Sequence, residues 1–411
     1  MQHRRVNHVV IRLGNVKQAG VNLCLRFPAA VSFFVSVFLY FPPLWVYLNW
    51  GESSDRYGLM MQQARDPFGI VYDTVDNVLA YRLAVPLFNH FVGLRGHAIV
   101  LPSLFGSLFL CFLLHRIFRR KCDPVTSFIL TICASLTFLV VSGTTCWVAT
   151  DSLACGAVAA ILFSPGLIAT TLLSFLALTL DERAIVSLLL LPSLAWALSS
   201  RQDLKLRFIA RQYFYFLPAI LLVMAFRALI DSGVVFPAPL EHYQYEKISN
   251  LFWQLETYHP TFILYGLIQW FAAFRWFWIF PVLAAFMVVS KHSLFGWRFD
   301  QLVRAKASYR LFLAHGLLIL GCYFLVNLSA GDQWRCALYV FPFILASALL
   351  VCEANPPACR QAGLVCLGLL VVTPQFFLGH YWGAFFEATS VQIVYPMPLV
   401  LARTLFGLGA N

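Results

Sequence analysis

Residues 27–48 read FPAAVSFFVSVFLYFPPLWVYL, without one charged side chain. A helix crosses the hydrocarbon core of a bilayer with roughly 20 consecutive apolar residues. Inside that core every backbone N–H and C=O must be satisfied within the spanning structure, which leaves helices and closed barrels as the options. The apolar runs here are long and do not alternate with polar residues, so they predict helices. We place such runs at 28–48, 97–118, 124–143, 151–164, 166–180, 184–199, 212–230, 260–290, 308–328, 336–352 and 361–380. Composition agrees: 60% of the chain is apolar and 11% charged, against roughly 45–50% and about 25% in soluble domains. The expected fold class is therefore all-α: a polytopic transmembrane protein of ten or eleven spans, in one integral membrane domain over residues 1–411. No removable signal peptide is expected, and 27–48 reads as a signal anchor that stays.

Charge sets the expected orientation. The net charge of +11 comes from short basic clusters between apolar runs, a pattern that writes membrane topology and not nucleic-acid binding. With residues 1–27 as a cytoplasmic tail, the cytoplasmic segments collect 19 of the 29 Lys and Arg residues, including Arg119, Lys205 and Arg304, but 4 of the 18 acids. The acidic side is then external, and two external loops are long enough for structure of their own, 49–80 and 231–259. Within them 57–64 and 248–255 pattern as short helices lying on the outer surface. The runs at 151–164, 166–180 and 184–199 are short for full spans. The 260–290 run is too long for one straight span, so Pro281 is expected to kink it or its start to lie in the interface.

The eleven cysteines show no metal-ligand spacing and read as small apolar packing residues, with a Cys146–Cys336 disulfide as the alternative. Histidines lack ligand spacing, and no metal site is expected from the motifs. Glycine-rich nucleotide loops, HExxH and GxSxG are absent. What remains is ionisable residues at the outer membrane boundary, where charge is costly and a functional reading is the starting hypothesis. Glu52 and Asp55 follow the first span at i and i+3, so a helix would put them on one face. Two carboxylates there suit activation of a hydroxyl or the holding of a divalent cation; the structural alternative is a solvated loop with Asp55 paired to Arg56. Arg82, after Tyr81, can clamp a phosphate in the headgroup layer or serve as an interfacial anchor. Asp151 opens a short apolar helix and is a cap or a site residue. In Asp181-Glu182-Arg183, the bland reading is a Glu182–Arg183 pair. Asp332 and Arg335 at i and i+3 can pair, or Arg335 can meet a phosphate.

Taken together, these segments resemble the GT-C superfamily of membrane glycosyltransferases, which includes protein O-mannosyltransferases, the aminoarabinose transferase of lipid A and bacterial relatives. The resemblance rests on Asp55 in GESSDRYGLMM, Tyr81-Arg82 with Pro86 in AYRLAVP, Asp151 in ATDSLA, Glu182-Arg183 in LDERA, and Asp332, Arg335 and Pro342 in GDQWRCALYVFPFIL. It covers most of the chain in layout. Two features depart from it: Glu52 and Asp55 stand where an adjacent acidic pair is usual, and no C-terminal soluble domain is expected.

The resemblance implies a GT-C-like fold with a helical first external loop, and transfer of a sugar from a polyprenyl-phosphate-linked donor to an acceptor at the outer face, with inversion. Asp55 would be the general base, with Asp151 the second catalytic acid. Glu52, Arg82, Glu182, Arg183, Asp332 and Arg335 would bind substrate. A divalent cation between Asp55 and Asp151 is compatible with this chemistry but not required. Expected partners are membrane lipid, the lipid-linked donor and an unidentified acceptor, with no nucleic acid; the expected location is a bacterial inner membrane with the active side periplasmic. The main alternative is a transporter or flippase of a lipid-linked or polar solute, with a surface-polysaccharide polymerase or ligase and a non-catalytic assembly partner behind it. Acids clustered at an outer pocket favour the enzyme, and acids along a midplane path favour transport.

Overall fold

A computed structural model describes residues 25–40, 55–70, 80–144, 150–164, 166–199, 205–236, 260–289, 306–327, 333–380, 389–394, 400–401 and 405. The chain is helical with one small hairpin. The helices are α1 (Pro28–Leu39), α2 (Asp55–Arg65), α3 (Ala84–Val92), α4 (Leu101–Phe118), α5 (Pro124–Ser135), α6 (Phe138–Val141), α7 (Asp151–Ile161), α8 (Leu167–Leu180) and α9 (Ala184–Leu198). They continue as α10 (Leu206–Asp231), α11 (Pro260–Phe274), α12 (Ile279–Val289), α13 (Lys306–Asn327), α14 (Gln333–Leu338), α15 (Phe341–Ala354) and α16 (Pro356–Val372).

Several of these elements can cross a membrane, as an integral membrane protein requires. Among the described residues four are long and apolar enough: Gly96–Phe118, Leu206–Asp231, Gly266–Met287 and Ser308–Val326. Pro124–Ser135 with Phe138–Thr144 makes a fifth if its 61° bend is part of one span. Ten or eleven were expected over the whole chain; this count covers the described residues alone. The described parts of α1, α7, α8, α9, α15 and α16 are apolar but 10–17 residues long, and at 1.5 Å per residue such helices fall short of a hydrocarbon core about 30 Å thick. Burial explains how they persist: α15 is enclosed from Phe341 to Cys352, so neighbouring helices surround it. Gly316 on α13 lets the Phe343 ring of α15 approach until an added Cβ would lie 2.2 Å from it. Phe343 stacks on Phe312 there, with centroids 5.0 Å apart. Polar ties also join α9, α10 and α13, where Ser193 Oγ and Tyr213 OH bond the two ring nitrogens of His315.

Two corrections concern the breaks. The 260–290 run does not kink at Pro281, which sits in the first turn of α12 where proline is tolerated. It breaks at a 3-10 turn, Arg275–Trp278, entered with Arg275 at φ +50°. The guanidinium of Arg275 is buried and binds Tyr40 OH, Leu136 O (3.4 Å), Gln375 Oε1 (3.4 Å), Leu370 O (2.8 Å), Thr373 O and Thr373 Oγ1 (2.7 Å). Tyr40, Leu136 and Thr373 stand at the C-terminal ends of α1, α5 and α16. Helix C-termini carry partial negative charge, so three helix ends hold this cation where no carboxylate does among the described residues. The expected span at 361–380 also ends early. α16 stops at Val372, and Gln375–His380 (β1) pairs antiparallel with Thr389–Val394 (β2), Gln375 opposite Val394. Among the described residues, a single two-stranded hairpin thus follows α16 in an otherwise helical chain.

Charged residues collect at the two ends of the packed helices. One end gathers Arg82, Asp151, Asp181, Glu182, Arg183, Arg227 and Arg335. The other, reached along α7, α9 and α15, gathers Lys121, paired with Glu353 (3.1 Å), and Asp123, paired with Arg360 (3.0 Å). Of the expected surface helices, 57–64 falls within α2; 248–255 lies outside the described residues.

Candidate functional site

The first of these ends is built from the starts of α3, α7, α9 and α14 and the ends of α8 and α10. Asp151 is the first residue of α7 and fully buried. It does not cap its helix. Its carboxylate accepts from Arg335 Nε (2.9 Å), Arg335 Nη2 (3.4 Å) and Tyr339 OH (2.9 Å), with Arg183 Nη2 at 3.6 Å. Thr150 Oγ1 donates to Leu180 O (3.1 Å), which brings the start of α7 to the end of α8 and so Asp151 near Asp181. Asp181, also fully buried, accepts from Arg183 Nε (2.8 Å) and Nη2 (2.6 Å) and lies 3.4 Å from Arg82 and 3.8 Å from Arg335. Asp181 therefore takes the place that the sequence assigns to Glu182 as partner of Arg183. Glu182 instead receives Arg82 Nη2 (2.9 Å) and Nε (3.2 Å), with Arg227 at 3.6 Å. Adjacent residues leave a chain in different directions, and here Asp181 turns inward while Glu182 turns to the rim.

Arg335 pairs with Asp151; Asp332 lies outside the described residues. Gln269 Oε1 accepts from Trp334 N (3.1 Å), and the Trp334 ring packs on Phe138 (4.3 Å). α11 and α6 thereby fix the start of α14. Tyr339 is placed by its own carbonyl, which accepts from Ser187 Oγ (2.6 Å). Tyr81 OH donates to Asp231, and the Arg227 guanidinium lies over the Tyr81 ring at 4.6 Å. With Asp231 counted, four carboxylates face four guanidiniums. Buried charges persist when paired and hydrogen-bonded, and this network meets that condition.

The electrostatics follow from the geometry. In the loop between α8 and α9, burial pushes the Asp181 carboxyl up, but Arg183 and Arg82 outweigh it and hold it below the ordinary range. Glu182 is lowered in the same way, burial being outweighed chiefly by Arg82. Burial works against the charge on Arg82, and Asp181 and Glu182 more than restore it. Asp181 and Glu182 therefore stay ionised. Inside the network exposure is low, while Arg227 and Glu182 are each about a third exposed (35% and 34%) and form its rim.

Of the residues singled out from sequence, the fold brings together Arg82, Asp151, Glu182, Arg183 and Arg335. Asp55 is the first residue of α2, with its side chain outside the described set, as is Glu52. α2 packs beside α3: Ala64 O contacts His90 Nδ1 (3.3 Å), and Ala64 clusters with Ile99 and Val100. The helical segment after the first apolar run therefore lies at the same end as Arg82. Asp66 closes its own turn, accepting from Gly69 N (2.9 Å). Sequence reasoning noted Asp181 only as part of a charged triplet, without its pairing to Arg183, and passed over Tyr339, Arg227 and Arg275. The signal for Arg275 was its standing as the one charge in the 260–290 run; Tyr339 carried none. Cys336 is buried, with Arg183 Nη1 at 3.5 Å from its sulfur, and Cys146 lies outside the described residues. No group of histidine, cysteine and acidic residues suited to a metal ion occurs among the described residues. Comparison with known proteins finds no matching family model, no matching curated protein and no matching solved structure.

Proposed function

We propose that the chain is a membrane glycosyltransferase of the GT-C type, moving a sugar from a polyprenyl-phosphate donor to an acceptor hydroxyl at the outer face of a membrane, with the carboxylate–guanidinium cluster on that external side. The observation that carries the reading is the cluster itself: four arginines and their carboxylates gathered at one end of the helices, with Arg227 and Glu182 partly exposed at its rim. In the reaction, Asp55 takes the proton of the acceptor hydroxyl. The acceptor oxygen attacks the anomeric carbon, the bond to the phosphate oxygen breaks, and polyprenyl phosphate leaves with the electron pair. Arginines preset by buried carboxylates offer fixed positive charge to the leaving phosphate without reorganising. Asp151, saturated by Arg335 and Tyr339, enters the proposal as the group that aims Arg335 rather than as a proton acceptor. A transport reading is less well supported, because these carboxylates sit at helix ends and not along a midplane path.

The test is release of polyprenyl phosphate by purified protein offered a panel of lipid-linked sugars. Asp55→Asn keeps the shape and removes the base, so transfer should fall roughly a hundredfold or more while the protein still inserts. Near-normal transfer by that variant, or no release from any donor by the wild type, refutes the proposal.

A further inference from the structure

The opposite end of the bundle carries cations that the proposed reaction does not use. α4 closes on HRIFRRK, where Arg116, Arg119 and Arg120 are exposed. Lys121 is neutralised by Glu353 and Arg360 by Asp123, and Arg119 donates to Cys122 O (3.3 Å). Arg116 and Arg120 differ. Four residues apart, they share one face of the chain, and both guanidiniums lie over the same ring, 4.6 and 4.4 Å from the centroid of Phe163. Neither meets a carboxylate among the described residues. The ring attracts each cation, but the two repel each other: the Arg120 proton affinity is lowered by burial and then by the Arg116 charge. The C-terminal dipoles of α4 and α7 each supply roughly half a negative charge, less than two guanidiniums require.

The surroundings are apolar on the side facing the bundle's length. Phe105 and Phe112 of α4 and Leu167, Ile168 and Leu172 of α8 are exposed, Ile168 at 77%. On a membrane-spanning chain such a surface lies against acyl chains. The two arginines then stand at the level where headgroups begin. A phosphate diester between them would accept charge-assisted hydrogen bonds from both forks and remove their repulsion. We infer that Arg116 and Arg120, stacked on Phe163, form a binding site for the phosphate of an anionic phospholipid in the leaflet at that end. The exposed apolar side chains of α4 and α8 favour a lipid over a free phosphate, because they provide for the chains as well as the headgroup. The inference does not depend on the proposed transfer activity or on which side that leaflet faces.

Full-length protein in nanodiscs of phosphatidylcholine doped with phosphatidylglycerol tests it, with retained lipid identified by native mass spectrometry. Wild type should retain phosphatidylglycerol over phosphatidylcholine by roughly tenfold or more, the scale expected of two basic residues at an anionic surface. Arg116→Gln/Arg120→Gln should lose most of that preference, while Arg207→Gln, at another exposed arginine of the same end, should keep it. Arg116→Lys/Arg120→Lys, which retains charge without the forked geometry, should fall several-fold short of wild type and decides the matter if the glutamine variant does not fold. A preference unchanged in either double variant, or lost equally in Arg207→Gln, overturns the site. Soluble glycerol phosphate is the second arm. If it binds as tightly as the lipid, the site is one for free anions and the lipid assignment fails.

Discussion

Replacing Asp151 by asparagine removes one charge from the centre of the network and almost no volume. The carboxylate lies 2.9 Å from Arg335 Nε and 3.6 Å from Arg183 Nη2. At an effective dielectric of about 20 these pairs attract by ~6 and ~5 kcal/mol before desolvation. Desolvation offsets most of that in the intact pair, but removing one partner leaves the other charge buried, at a cost of about 3–5 kcal/mol. Asparagine can still accept one hydrogen bond from Tyr339 or Arg335, so the lower part of that range is expected. The assay is reversible unfolding in mixed micelles, read by circular dichroism. A second variant tests the cause: Asp151→Asn/Arg335→Met restores charge balance and should recover part of the loss, giving a coupling of at least ~1.5 kcal/mol across the double-mutant cycle. A loss below about 1 kcal/mol in Asp151→Asn, or strictly additive effects in the double variant, would refute the reasoning.

Arg275→Met should cost at least ~3 kcal/mol, since it strands acceptors at the ends of α1, α5 and α16; Arg275→Lys should not restore stability, because an ammonium cannot span the same set, and the same unfolding assay checks both. Asp123 caps α5 through Val125 N and Thr126 N (both 3.1 Å), so Asp123→Ala should destabilise by about 1 kcal/mol. Partial burial raises the Asp123 carboxyl, but Thr126 and Arg360 overcome this and lower it to about 2 from 3.8. Its contribution is accordingly present at neutral pH and lost as pH falls from about 4 through about 2, which a comparison of Asp123→Asn with wild type across that window detects. For orientation, impermeant thiol reagents applied to intact cells should label a cysteine at position 66 and not one at 205, both on a cysteine-free background; the reverse pattern overturns the proposed sidedness.

The membrane class was legible in residues 27–48 and the runs like it, because the demand for satisfied backbone groups acts locally and each segment answers it alone. The helix α2, in the segment after the first apolar run, was also legible, from the local pattern at 57–64. Which helices are enclosed was not, since composition along the chain cannot tell a lipid-facing helix from one surrounded by its neighbours; the burial of α15 is a property of the bundle. The break at Arg275 belongs to the same category: Pro281 was the local signal, but the cation reached the ends of three helices distant in sequence, and that decided where the chain turned. At the candidate site the sequence marked Arg82, Asp151, Glu182, Arg183 and Arg335 as charges too costly to leave unpaired at a membrane boundary. It could not assign their partners. The neighbours 182 and 183 looked a natural pair, whereas the fold joined 181 with 183 and 82 with 182, and brought 335 to 151. Pairing among buried ions is decided by which helix ends meet and how each side chain is desolvated there, and those are facts of tertiary packing.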